Sequence, residues 1–127
     1  MEQVTSPTWI RGLFWFAGIY GLIVMVPQYI MEHRIGVEYP PAITHLEYFY
    51  GFIGVGVAWQ VAFLVIATDP RRFRPMMIPA VLEKFTFAGA AAALLMLGKI
   101  PLTIAGFAAV DLMLGILFLI AFWTLRA

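Results

Sequence analysis

Four polar residues in otherwise apolar surroundings are where this chain could do chemistry. Glu83 and Lys84 stand side by side within the stretch from Met76 to Leu97, Asp111 is the one charge between Leu102 and Thr124, and Gln60 lies deep in the stretch that precedes them. A carboxylate and an ammonium at membrane depth can relay a proton, hold the polar end of a ligand, or pair with each other to fasten helices together. Insertion into hydrocarbon costs about 2.5–3.5 kcal/mol for a central charge, whereas a large apolar side chain returns only about 0.3–0.6 kcal/mol. Glu83 and Lys84 therefore nearly cancel the apolar gain of their own segment and must be paired, neutralised or raised towards the headgroups. Adjacent residues point about 100 degrees apart on a helix, which makes these two poor partners for each other. Lys84 is expected to reach Asp111 or to snorkel to the surface, and Glu83 to accept a hydrogen bond from Gln60 or to stay protonated.

The elements that position these residues follow from composition. Of 127 residues, 63% are hydrophobic and 12% charged, and the mean hydropathy is +0.92. The few charges are clustered, which leaves four long apolar stretches, and solid apolar runs without period-two alternation exclude a membrane barrel. The sequence thus predicts an all-α polytopic membrane protein. It is read as one domain over residues 1–127, an antiparallel bundle of four transmembrane helices at about 9–30, 47–68, 76–97 and 102–124. The lack of cysteine removes disulfides, thiolate metal sites and cysteine nucleophiles. A formal net charge of +1 offers no basic face to nucleic acid. The first apolar run leads to Pro27-Gln28-Tyr29 rather than to a small-residue cleavage site, so an uncleaved anchor is expected.

Local signals set the boundaries. Ser6-Pro7-Thr8 suits a helix start with a hydroxyl cap and an early proline, and Pro27 should kink or end that helix. Met31 to Leu46 holds the consecutive prolines Pro40 and Pro41 and is expected to be a loop over one end of the bundle. Thr44-His45-Leu46-Glu47 matches a capping box that would open the second helix. Gly54, Ala58 and Ala62 recur every four residues as a small-residue stripe for close helix packing, and Gly12, Gly18 and Gly21 offer similar places on the first helix. Pro79 fits the first turn of the third helix, and Gly98-Lys99-Ile100-Pro101 a tight turn into the fourth.

Antiparallel folding about these turns levels Gln60 with Lys84 and sets Asp111 about one helical turn from Lys84. The four residues then form a polar belt, read either as glue that fixes helix register or as the lining of a ligand pocket or proton path. Tyr48, Tyr50 and Trp59 suit an interfacial belt and packing, or stacking on a flat ligand. His33, Glu38, His45 and Glu47 follow no helical metal-ligand spacing and are expected to be solvated, so no metal is assigned. Arg11, Arg71, Arg72, Arg74 and Arg126 fall on the side of the termini, against Arg34 and Lys99 on the other. This bias predicts both termini on the cytoplasmic side, with the proline-containing loop facing the periplasm or exterior. The basic turn at Arg71, Arg72 and Arg74 sets topology and, secondarily, meets anionic lipid.

The layout, and above all the turn Ala67-Thr68-Asp69-Pro70-Arg71-Arg72-Phe73-Arg74-Pro75, resembles the DoxX-like group of small four-helix bacterial membrane proteins. The resemblance implies a membrane subunit associated with quinone-linked oxidoreductases, and related sterol-isomerase-like domains use intramembrane carboxylates. No catalytic position can be carried over residue by residue. The leading expectation is a non-catalytic accessory or assembly subunit that contacts quinone or lipid, within a larger membrane complex or a homo-oligomer. The alternative is a membrane-embedded enzyme or carrier for an apolar small molecule that uses Glu83, Lys84 and Asp111. Proton-coupled transport is disfavoured, because four helices make a narrow path unless the protein oligomerises.

Overall fold

Apolar runs of membrane-spanning length become helices wherever proline and glycine do not interrupt them. The computed structural model describes residues 6–126. Helix α1 spans Thr8–Met25 and tightens at Pro27 into a 3-10 segment, Val26–Ile30. Helix α2 is Glu32–Glu38 and α3 is Leu46–Thr68. A 3-10 turn over Arg74–Met76 leads into α4, Met77–Met96, and α5 is Leu102–Thr124. Four of these segments, Thr8–Ile30, Leu46–Thr68, Arg74–Met96 and Leu102–Thr124, are long and apolar enough to span a bilayer, and the protein is an all-helical membrane bundle.

The ends of the helices depart from expectation in three places. Pro7 caps α1 through its backbone, its carbonyl accepting from the amides of Ile10 and Arg11 at 3.1 and 3.4 Å, and no hydroxyl takes part. The segment from Met31 to Leu46 is not all loop, because the helix-breaking prolines stand only at its centre and the seven residues before them coil into α2. The capping box does not form either. His45 is the N-cap of α3 with no side-chain hydrogen bond, and its carbonyl accepts from Tyr48 and Phe49, both at 3.0 Å. Glu47 instead turns back to His45, with Oε1 3.5 Å from Nδ1. Other punctuation is as expected. Pro79 sits in the first turn of α4, where its missing N–H costs no helical bond. Gly98, at φ +70°, ends α4 in a Schellman motif, with Lys99 donating to the carbonyl of Leu94 and Gly98 to that of Leu95.

Packing joins α1 to α3 and α4 to α5 as two antiparallel hairpins, which touch each other only lightly. The hairpins are held together at the end that carries the start of α1, the end of α5 and the arginine turn. There Phe14 stacks on Phe118 at 4.3 Å and Phe63 meets Phe118 edge-on at 5.1 Å. Ile10, Ile66, Met77 and Leu114 close around these rings with almost no exposure. The arginine turn is tied to the same end. Arg74 Nε donates to the carbonyl of Phe122 at 2.8 Å, and its guanidinium lies 3.8 Å from the centre of the Phe122 ring, which satisfies a carbonyl near the end of α5. Asp69 Oδ1 accepts from the amide of Arg72 at 3.3 Å.

The close approach of α1 to α3 does not follow the stripe of Gly54, Ala58 and Ala62. Ala58 is exposed, because that face of α3 turns outward, and Gly54 only faces the Tyr29 hydroxyl. Contact runs instead through Gly18 and Gly21 of α1 against Gln60 and Leu64, and through Gly56 against Met25. A Cβ at Gly18 would lie 2.5 Å from Leu64 Cδ2 and 2.8 Å from the Gln60 carbonyl oxygen, whereas one at Gly12 would meet nothing within 4 Å. Gly18→Ala is therefore expected to lower stability by about 1–3 kcal/mol, and Gly12→Ala to leave it nearly unchanged, as measured by unfolding with sodium dodecyl sulfate in mixed micelles.

Candidate functional site

Lys84 lies on α4, one residue from Glu83 and across from Asp111 of α5. Its side chain is almost fully buried, and Nζ stands 3.1 Å from Asp111 Oδ1 and 3.6 Å from Glu83 Oε2. Lys84 thus makes the interhelical bond expected of it. It also draws in its sequence neighbour, because a four-carbon stem can fold the ammonium back between two carboxylates. The third direction around Nζ is taken by the Phe63 ring, whose centre is 5.1 Å away. Gly115, one turn from Asp111 on α5, makes room for this contact: a Cβ there would lie 3.0 Å from Lys84 Cβ.

Gln60 reaches the same level from α3 but does not bond to Glu83. Its Nε2 donates to the Gly56 carbonyl at 3.0 Å, and its Oε1 packs against Gly21 of α1. Both Gln60 Oε1 and Glu83 Oε2 are buried without a hydrogen-bond partner. The expected Gln60–Glu83 bond fails because a glutamine within a helix finds the carbonyl four residues back closer than a side chain on a neighbouring hairpin.

All four belt residues line one cavity of about 440 Å³ between the two hairpins. Below them the phenylalanine core closes the bundle. Above them the hairpins part, and the walls are apolar and aromatic, with Phe49 and Phe52 from α3, Phe87 from α4, and Ile104 and Phe107 from α5. Met31, Ile35 and Tyr39, in and beside α2, form the far end. The Tyr50 hydroxyl tethers that end with a long, 3.5 Å hydrogen bond to Glu32. Arg34 and Glu38 pair across one turn of α2 at 2.9 Å, which holds the exposed guanidinium's pKa above its ordinary value. A second hollow opens on the outer flank between α3 and α4. It shares Phe52, Gly56, Glu83 and Phe87 with the cavity, so Glu83 stands where the interior meets the lipid-facing side.

Of the other sequence candidates, Glu38 lines the far end of this cavity, and the rest lie apart from it. His33 and His45 are exposed, and among the described residues no three of His, Asp and Glu gather to hold a metal. Arg72 is exposed, Arg71 half-buried and Arg74 committed to α5. Tyr48 is exposed, and Trp59 lines only the outer hollow. Sequence reasoning missed Tyr20 of α1 and Gln28 of the 3-10 segment that follows it, which both line the cavity. The available signal for Tyr20 was a hydroxyl-bearing ring between Gly18 and Gly21, on the same span as the helix contact.

Chemically the site is a largely apolar chamber with one ammonium between two carboxylates at its base. It can grip the polar end of an apolar molecule or pass a proton between carboxylates through Lys84. Lys84→Met leaves both carboxylates without a counter-charge and is expected to cost about 3–5 kcal/mol. Adding Asp111→Leu should recover part of that loss, because only Glu83 is then stranded; unfolding of the single and double variants measures the coupling. A scan against protein-family models finds no match to this chain, and searches of curated proteins and of solved structures find none either.

Proposed function

We propose that this chain is an intramembrane binding module for an apolar molecule with one polar end, of the lipid or quinone class. One observation carries the reading: a cavity of about 440 Å³ with aromatic walls, at whose base Gln60, Glu83, Lys84 and Asp111 converge. Ligand sites combine this range of size, about 300–1,000 Å³, with a mostly apolar lining and a few convergent polar groups. A bundle in which the belt served only as glue would have no need of the hollow above it. The charges are engaged with one another, which favours holding a ligand over transforming it. Among the described residues the broad surfaces are helix faces, which suits an accessory subunit assembled with another membrane protein. Its layout resemblance to DoxX-like proteins agrees with quinone as a ligand.

A bacterial inner membrane is the location that the layout resemblance to DoxX-like proteins implies, and the arginines gathered at the core end support both termini in the cytoplasm. A phosphatase fused after Ala127 should then be inactive and a fluorescent protein there bright; the reverse pattern would overturn the orientation.

The binding reading is tested by purifying the chain in mild detergent, extracting it with organic solvent and identifying what comes with it by mass spectrometry. An apolar molecule at up to one per chain is expected from the wild type. Ile104→Trp fills the chamber without touching the belt and should lose that molecule while unfolding as the wild type does. A wild-type preparation that carries nothing and retains neither added ubiquinone nor added phospholipid would sink the reading.

A further inference from the structure

The chamber and the hollow on the outer flank stand back to back. Phe52 and Gly56 of α3 and Glu83 and Phe87 of α4 line both spaces, so the partition between them is one residue thick along this row. Little holds the row shut, because α3 and α4 touch only lightly. Gly56 brings no side chain to it, and the end of the Met25 side chain packs where a Cβ of Gly56 would stand. A methionine end is unbranched and shifts readily. Phe52 is half-exposed, and among the described residues neither Phe52 nor Phe87 stacks on another ring. Tyr20, which lines the chamber from α1, is by contrast braced by Phe16 at 5.8 Å.

The far end of the chamber is closed differently, by Met31, Ile35 and Tyr39, with α2 tied to α3 through Tyr50 and Glu32. That end leads towards water. An apolar chain leaving there gives up about 0.8 kcal/mol for each buried CH2, whereas one leaving by the flank passes from one apolar medium to another. We infer that the seam between α3 and α4 is the portal by which the occupant moves between chamber and bilayer, with Phe52 and Phe87 as its posts and Glu83 at its threshold. This rests on the chamber being a ligand site, and it narrows the class of ligand to molecules that dissolve in the bilayer and arrive along it. Their chains can be longer than the chamber, since the excess stays among the acyl chains outside.

The test measures exchange rates. Deuterated decylubiquinone and deuterated dioleoylphosphatidylglycerol are each loaded into the protein in phosphatidylcholine nanodiscs, an excess of the unlabelled form is added, and bound label is followed over time by native mass spectrometry. Thr86 is exposed and lines the outer hollow but not the chamber. Thr86→Trp is therefore expected to bind the retained probe to the same extent as the wild type and to exchange it at least about tenfold more slowly, a rise of about 1.4 kcal/mol in the barrier. Val55, also exposed and also confined to the outer hollow, supplies Val55→Trp as a second block should the first variant not fold. Phe16→Trp enlarges the brace behind Tyr20 and should exchange as the wild type does. Unchanged exchange in the blocked variants, equal slowing in Phe16→Trp, or loss of equilibrium binding in the blocked variants overturns the portal and leaves the chamber as a ligand site. Retention of neither probe by the wild type overturns the portal and the binding reading together.

Discussion

A buried ammonium in hydrocarbon must be answered by negative charge, and the rest of this structure is arranged around that requirement. Lys84 is answered twice, by Asp111 from α5 and by Glu83 from its own helix. The pairing pins α4 to α5 at one register, and Gly115 is the backbone concession that lets the two helices come close enough. Truncating one partner leaves a stranded charge, while the pair itself adds little net stability over a well-packed apolar contact. Its value lies in specificity: a slip of α4 against α5 by one turn would separate the ammonium from Asp111.

Stability and cavity occupy opposite halves of the bundle. Near the arginine turn, aromatic rings from α1, α3 and α5 interlock with Ile10, Met77 and Leu114 and join the two hairpins. Further along, each hairpin packs on itself, α1 on α3 through glycines and α4 on α5 through Ala88, Ala91 and Ala108. The small residues draw partners together within each hairpin, and the large side chains between hairpins line the space without filling it. The aromatic walls and the chamber follow from that division.

Much of this was legible in the sequence. Four spans, the ends set by Pro27, Pro79 and Gly98, and the Lys84–Asp111 pair all follow from hydropathy, local backbone rules and antiparallel counting. Legibility failed where several weak local options competed. At Thr44-His45-Leu46-Glu47 the capping box lost to His45 backbone capping, and at Glu32–Glu38 seven residues coiled although prolines lay close behind. The Gly54, Ala58 and Ala62 stripe was a true periodicity on the wrong face, because spacing alone does not say which side of a helix meets a neighbour. The pairing of α1 with α3, and the parting of the two hairpins above the belt, depend on the summed shape of four helix surfaces, which no single motif encodes.

The one-ended core has a mechanical corollary. Two stiff hairpins clamped at a single end behave like the arms of forceps, and spreading their free tips breaks few side-chain contacts, since α3 meets α4 and α1 meets α5 so lightly. The work of changing the gap is then done mainly against the surrounding acyl chains and not against the protein's own packing. In a bilayer the width of the chamber would then depend on protein and lipid together.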